Sequence, residues 1–153
     1  MSEPAVFRKR LPVRFADVDA ARVLYFPRQL HLLHTVMEDF FREAVGIPYA
    51  EMIDSDRIGF PTVRLAVDFR SPIRFGDEVD VTLRVREMGK SRVVFAYDVS
   101  LAGRADIAAS ALQTTVAIDP RAWKSVPIPD RYRARLGAFL APAANEEAPR
   151  DGG

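Results

Sequence analysis

The sequence predicts an α+β domain, and three observations carry that prediction. One stretch has the apolar spacing of a long amphipathic helix: from Pro27 onward, Leu30, Leu33, Met37, Phe40, Phe41 and Ala44 recur near i, i+3, i+4, i+7. Several later runs alternate apolar and polar residues with the period of two of half-buried strands. Short turns join those runs, too short for parallel crossovers, so the sheet is antiparallel.

The elements follow in order. Val6–Phe15 alternates Phe7, Leu11, Val13 and Phe15 with Arg8, Arg10 and Arg14; Lys9 interrupts the pattern, and Pro12 confines the segment to an edge or bulged strand. The helix opens at Pro27, whose missing N–H would lack an intrahelical partner in any case. Gly46, Ile47 and Pro48 stop it, giving about 18 residues and roughly 27 Å. Tyr49–Gly59 reads as a charged loop with at most one helical turn.

In the next two runs, Val63, Leu65, Val67 and Phe69 oppose polar neighbours, as do Val79, Val81, Leu83 and Val85; Phe75-Gly76-Asp77 turns the chain between them. Met88 to Ser91 forms a hairpin loop, after which Val93, Phe95, Tyr97 and Val99 resume the alternation. Ala105–Asp119 is a last long strand rich in small residues, followed by a proline-punctuated loop to Pro129. Asp130–Leu140 reads as a short basic helix capped by Asp130. Residues 1–140 thus form one domain, and the tail 141–153 is too polar and proline-rich to pack, so disorder is expected there. A five-stranded antiparallel sheet with one apolar face and one long helix is solved by curling the sheet round the helix, the hotdog fold.

Composition narrows function by exclusion. Over 153 residues the net charge is +1, which gives no general attraction to nucleic acid or to an anionic membrane surface. The absence of cysteine removes disulfides, thiolate metal sites and thiol nucleophiles. No apolar run approaches the roughly 20 residues of a membrane span, and no signal-peptide core is present, so a cytoplasmic protein is expected. His31 and His34 lie three apart on the helix with no third ligand indicated, which favours packing over a metal site. Gly89-Lys90-Ser91 ends like a phosphate loop, yet Arg84 stands where its first glycine belongs and strands flank it. There is no Gly-x-Ser-x-Gly elbow.

Two carboxylates just before the helix, Asp17 and Asp19, are the candidates for chemistry; alternatively both only cap a turn. The segment from Phe15 through Asp17, Asp19, Val23, Leu24, Tyr25 and Phe26 to Pro27 resembles the signature of the 4-hydroxybenzoyl-CoA thioesterase family. The likeness continues more weakly through Gly59-Phe60-Pro61, the two alternating strands and the Lys90-Ser91 pair, over roughly residues 6 to 120. It departs at Arg22, where the family has glycine, at Arg28, where asparagine is common, and at Gln29, where an aromatic is usual. An arginine in place of that glycine must avoid positive φ or accept strain.

The resemblance implies a hotdog acyl-CoA thioesterase acting on an aryl or other compact acyl group. It makes Asp19 the nucleophile or general base and leaves Asp17 to hold the loop. The backbone N–H groups of Phe26 and Arg28 would polarise the thioester carbonyl. Arg22, Tyr25 and Phe60 would meet the acyl group, with Phe26 and Trp123 as further pocket aromatics, and Lys90, Ser91 and Arg92 would meet the phosphates of coenzyme A. A hotdog hydratase would need a histidine in the loop 16–26, which has none. No metal or separate cofactor is implied, since coenzyme A is part of the substrate, and a homodimer or homotetramer is expected. The alternative is a non-catalytic module that binds acyl-CoA or acyl-carrier protein, with Arg22 having displaced the catalytic geometry.

Overall fold

A computed structural model describes residues 3–141. The expectation of a disordered tail over 141–153 therefore falls almost wholly outside the described residues. Strand β1 (Phe7–Pro12) leads into the helix α1 (Phe26–Asp39), then come β2 (Thr62–Phe69), β3 (Glu78–Met88), β4 (Arg92–Leu101) and β5 (Ile107–Val116). A small hairpin, β6 (Ile118–Asp119) with β7 (Lys124–Ser125), and the helix α2 (Asp130–Gly137) complete the chain.

The main sheet has five strands in the order β1-β3-β4-β5-β2, every neighbouring pair antiparallel. It is the architecture expected of a hotdog domain. Pro12 does stand on an edge strand, because β1 pairs only with β3. There Arg10 faces Asp80 and donates through Nε and Nη2 to its two carboxylate oxygens at 2.8 and 3.0 Å.

The helix is longer and less regular than its spacing predicts. After the 14 residues of α1, the chain continues through six more in π-helical turns, Phe40–Val45. The whole rod spans roughly 30 Å. Its core face runs Gln29, Leu33, Val36, Met37, Phe40, Phe41 and Val45. Gly46 ends it at φ 76°, with its N–H on the Phe41 carbonyl. Phe40 touches Phe7, Phe95 and Phe139 edge-on with centroids 5.0 to 6.0 Å apart, so the helix's second half is packed from all sides.

Three local expectations are corrected. Tyr49–Gly59 is not a loop: Glu51–Asp56 winds into π-helical turns that seat Met52 in the core. Asp130 does not cap α2; Pro129 occupies that place with no side-chain cap, and Asp130 is the first helical residue, where its charge favours the positive end. Strand β2 alternates in sequence but not in burial, with Val63 62% exposed and Leu65 and Phe69 also open. Its sole strand partner is β5, it stands at the sheet's edge, and of its side chains Val67 packs partly against the core while the others lie open, so most of β2 is uncovered within one chain.

Candidate active site

The approach to α1 is a tight backbone loop. Asp19 N–H donates to the Val23 carbonyl at 3.0 Å, Arg22 N–H returns to the Asp19 carbonyl at 2.9 Å, and Val18 bridges Leu24. Closing so small a hairpin requires a left-handed residue, and Arg22 supplies it at φ 60°. The strain foreseen at this position is therefore present. The Arg22 carbonyl accepts Phe75 N–H, and Leu24 N–H reaches the Ile73 carbonyl, which seats the loop beside the start of β3.

Both acids are engaged, in different ways. One oxygen of Asp17 accepts Arg14 N–H at 3.1 Å, and the other lies 3.4 Å from Arg28 Nε. Asp17 thus ties the loop's first turn to the helix. Asp19 is exposed, and its Oδ1 accepts Ala21 N–H at 2.9 Å and Val23 N–H at 3.4 Å. Among the described residues its Oδ2 accepts no hydrogen bond. The reading in which these acids merely hold a turn fits Asp17 fully and Asp19 by one oxygen only.

The helix mouth offers one backbone donor rather than two. Arg28 N–H and Gln29 N–H both donate to the Tyr25 carbonyl, at 2.9 and 3.0 Å. That first turn closes on its cap, so the Arg28 N–H expected to polarise a carbonyl is already bonded. Pro27 has no donor. Among the described residues, Phe26 N–H has no acceptor.

Beside the mouth lies an open pocket of about 260 Å³. Val23, Leu24, Phe69, Pro72 and Ile73 supply its apolar wall, with Gln29, Arg70 and Ser71 as polar members. Val23, whose N–H is held by Asp19, is thus shared by pocket and acid. Tyr25, Phe26, Phe60 and Trp123, the aromatics expected around an acyl group, do not line it. Phe60 is instead a core residue, stacked on Phe41 at 5.5 Å and against Tyr132 at 5.9 Å, under the far half of the helix. Trp123 stands 71% exposed on the β6–β7 turn. Tyr25 and Phe26 are exposed at the mouth itself, together with Phe15 and Phe75, which meet edge-on at 5.8 Å.

Sequence reasoning gave Phe69 and the bend 70–73 no place in the site, and noted Gln29 only as a departure from the family's aromatic. Gln29 did carry a signal, being four residues before Leu33 and hence on the buried face. His31 and His34 are both exposed rather than packed, and no group of potential metal ligands exists among the described residues.

Lys90, Ser91 and Arg92 lie elsewhere in the chain. Their hairpin follows β3, whose 11 residues extend roughly 33 Å from the end beside the helix mouth. The C-terminal segment pins it: Arg133 Nη2 donates to the Gly89 carbonyl at 2.7 Å, and Ile128 N–H to the Lys90 carbonyl at 2.8 Å. Lys90 is exposed, and Arg92 lies 3.6 Å from Glu87. Arg135 Nη1 meanwhile bonds the Val45 carbonyl, so the hairpin sits at the helix's C-terminal end. One chain does not bring these residues to Asp19.

Residues 13–136 match the thioesterase-like superfamily. The chain belongs to that superfamily. A 1,4-dihydroxy-2-naphthoyl-CoA hydrolase from Nostoc punctiforme is 31% identical over 118 residues, covering 77% of this chain and 78% of the relative. The crystal structure of a 1,4-dihydroxy-2-naphthoyl-CoA thioesterase from Synechocystis superposes with a TM-score of 0.79 at 26% identity, over 87% of this chain and 96% of that one. A gentisyl-coenzyme A thioesterase superposes at 0.74 and 27% identity, over 84% and 98%. The expected resemblance, hotdog fold and class of thioester hydrolase are borne out by this membership. No helix among the described residues of this thioesterase-like chain is long and apolar enough to cross a membrane.

Proposed function

We propose that this chain hydrolyses an aryl-CoA thioester to the free acid and coenzyme A, at the N-terminal mouth of α1. The observation that supports it is one juxtaposition: a carboxylate with an uncommitted oxygen, a backbone donor without an acceptor, and a pocket, all within the segment Asp19–Gln29 and its neighbour Ile73. At about 260 Å³ the pocket is small beside the roughly 300–1,000 Å³ of ordinary ligand sites, which suits a compact ring better than a long alkyl chain. The acyl groups named for the relatives above are aryl as well.

In this reading Phe26 N–H, at the positive end of the helix, holds the thioester oxygen as it gains negative charge. Asp19 either attacks the carbonyl carbon through Oδ2 or takes a proton from the water that does. By the first route a mixed anhydride forms and water then opens it. In both, the C–S bond breaks, coenzyme A leaves as the thiolate, and water supplies the new acid oxygen. Asp17 stays bound to Arg14 and Arg28 and keeps the loop in place.

The phosphates of coenzyme A are assigned to Lys90, Ser91 and Arg92 of a second copy, because their own hairpin lies at the wrong end of the helix. The largely uncovered strand β2 is the surface such a copy would use. Sedimentation should therefore find a dimer or larger species at micromolar concentration; a monomer would exclude the shared site. A panel of aryl and alkyl CoA thioesters, with the freed thiol trapped by a chromogenic disulfide, tests the activity. Aryl substrates should turn over fastest, and a panel without turnover would overturn the proposal.

A further inference from the structure

The chemistry the proposed mechanism leaves unused lies at Gln29. It lies on the buried face of α1, one turn inside the mouth, where every later position is apolar: Leu33, Val36, Met37, Phe40 and Phe41. The residue is only 4% exposed, it lines the pocket, and its Nε2 has no hydrogen-bond partner among the described residues. A buried amide donor left unpaired costs about 1–3 kcal/mol, and such groups are uncommon in folded proteins. The domain's other buried glutamine shows what satisfaction looks like. Gln113 Oε1 accepts the Tyr97 hydroxyl at 2.6 Å, and its Nε2 donates to Thr62 Oγ1 at 2.7 Å.

Three features limit what could satisfy Gln29. The donor is buried deeper than Asp19 and Phe26, which are both exposed at the mouth, so it faces the acyl group rather than the reacting carbon. Leu24, Phe69 and Ile73 offer no side-chain acceptor, and the Ser71 hydroxyl on the same wall makes no hydrogen bond to Nε2, so an apolar ring fits the wall while leaving the amide free. The one chemical demand left is an acceptor oxygen carried by that ring.

We infer that Gln29 is the specificity residue of the site, donating a hydrogen bond from Nε2 to a ring hydroxyl of the aryl acyl group, so that hydroxylated aryl thioesters are selected over unsubstituted ones. This rests on the proposed aryl-CoA hydrolase activity and adds its selectivity. A site built to bond a hydroxyl discriminates because the substrate lacking it leaves the buried donor unpaired.

The test uses benzoyl-CoA and its 2-, 3- and 4-hydroxy derivatives with the full-length protein, its Gln29→Leu variant and the near-isosteric Gln29→Met. The wild type should favour at least one hydroxylated isomer over benzoyl-CoA by about tenfold or more in kcat/KM. Both variants should lose that preference, falling further in kcat/KM on the hydroxylated substrate than on benzoyl-CoA. Both should also melt a few degrees higher without ligand, because an unpaired amide is removed. Equal loss on all four substrates with a lowered melting point would overturn the inference and make Gln29 a structural residue, held by a second copy. A wild type that hydrolyses all four without preference would also overturn it, leaving the hydrolase intact. Only a wild type inactive on every aryl thioester would remove the hydrolase reading itself.

Discussion

The two ends of the central helix are built on opposite terms. The C-terminal end is tied down: Gly46 and Ile47 N–H close on the Phe41 carbonyl, Arg135 bonds the Val45 carbonyl, and aromatic rings pack against Phe40 and Phe41. At the N-terminal end a donor at Phe26, an amide at Gln29 and a carboxylate oxygen of Asp19 have no partner among the described residues, and four aromatics stand exposed. An arginine is held at positive φ beside them. Both ends belong to one rod on one sheet, so the difference cannot come from the fold class. On the proposed reading, the closed end carries the stability and the open end gives up stability for binding.

That contrast can be broken most severely at Asp19. Asp19→Asn retains shape and the loop bonds but removes the charge, and kcat should fall about 10²–10⁴-fold with little change in KM. Steady-state kinetics on an aryl-CoA would check it; a variant that folds normally and keeps more than a tenth of the rate would exclude the carboxylate mechanism.

The paired glutamines sharpen the comparison in a second way. Gln113→Leu strands the buried Tyr97 hydroxyl, whose pKa burial has already pushed upward, and should destabilise by about 1–3 kcal/mol in denaturant melts. Opposite signs for Gln113→Leu and Gln29→Leu would separate the closed end from the open one; matching losses would erase the distinction.

How much of this was legible beforehand follows the same division. The helix, the succession of elements along the chain and the edge position of β1 are set by periodicity and by Pro12, which act locally and can be read from the chain; the sheet order, which carries β2 away from β3 to pair with β5, is not local and was not read. The glycine stop at Gly46 is equally local. Burial of β2 could not be read, because alternation states which face a strand would bury and not whether anything covers it. At the site, Asp19 and Phe26 came from the motif, whereas Arg28 N–H was misjudged because its bond to Tyr25 depends on how tightly the first turn closes. Phe60 looked like pocket and is core, since the chain alone does not say which end of the helix it reaches. Gln29 stood out as a departure from the family's aromatic and in register with Leu33, but neither sign alone says that its amide is left unpaired in a pocket.

Smaller effects are expected at the remaining positions. Arg22→Gly removes a left-handed arginine and should raise stability by about 1 kcal/mol in the same melts. If the arginine also touches the acyl group, KM will rise with it. Lys90→Ala should raise KM for coenzyme A thioesters roughly two- to fivefold at low salt, shrinking as salt is added. An unchanged KM would mark the β3–β4 hairpin as plain surface.

The central claim, that the acyl group enters at the open end of the helix, is tested most directly by hydrogen–deuterium exchange with a non-hydrolysable aryl thioether of coenzyme A, such as S-phenacyl-coenzyme A. Backbone amides between Asp19 and Gln29, Phe26 among them, should become protected on binding, while those of Phe40 to Ile47 should exchange as in the free protein. Protection confined to Phe40–Ile47, or bound ligand that leaves Phe26 unchanged, would contradict the assignment of the site.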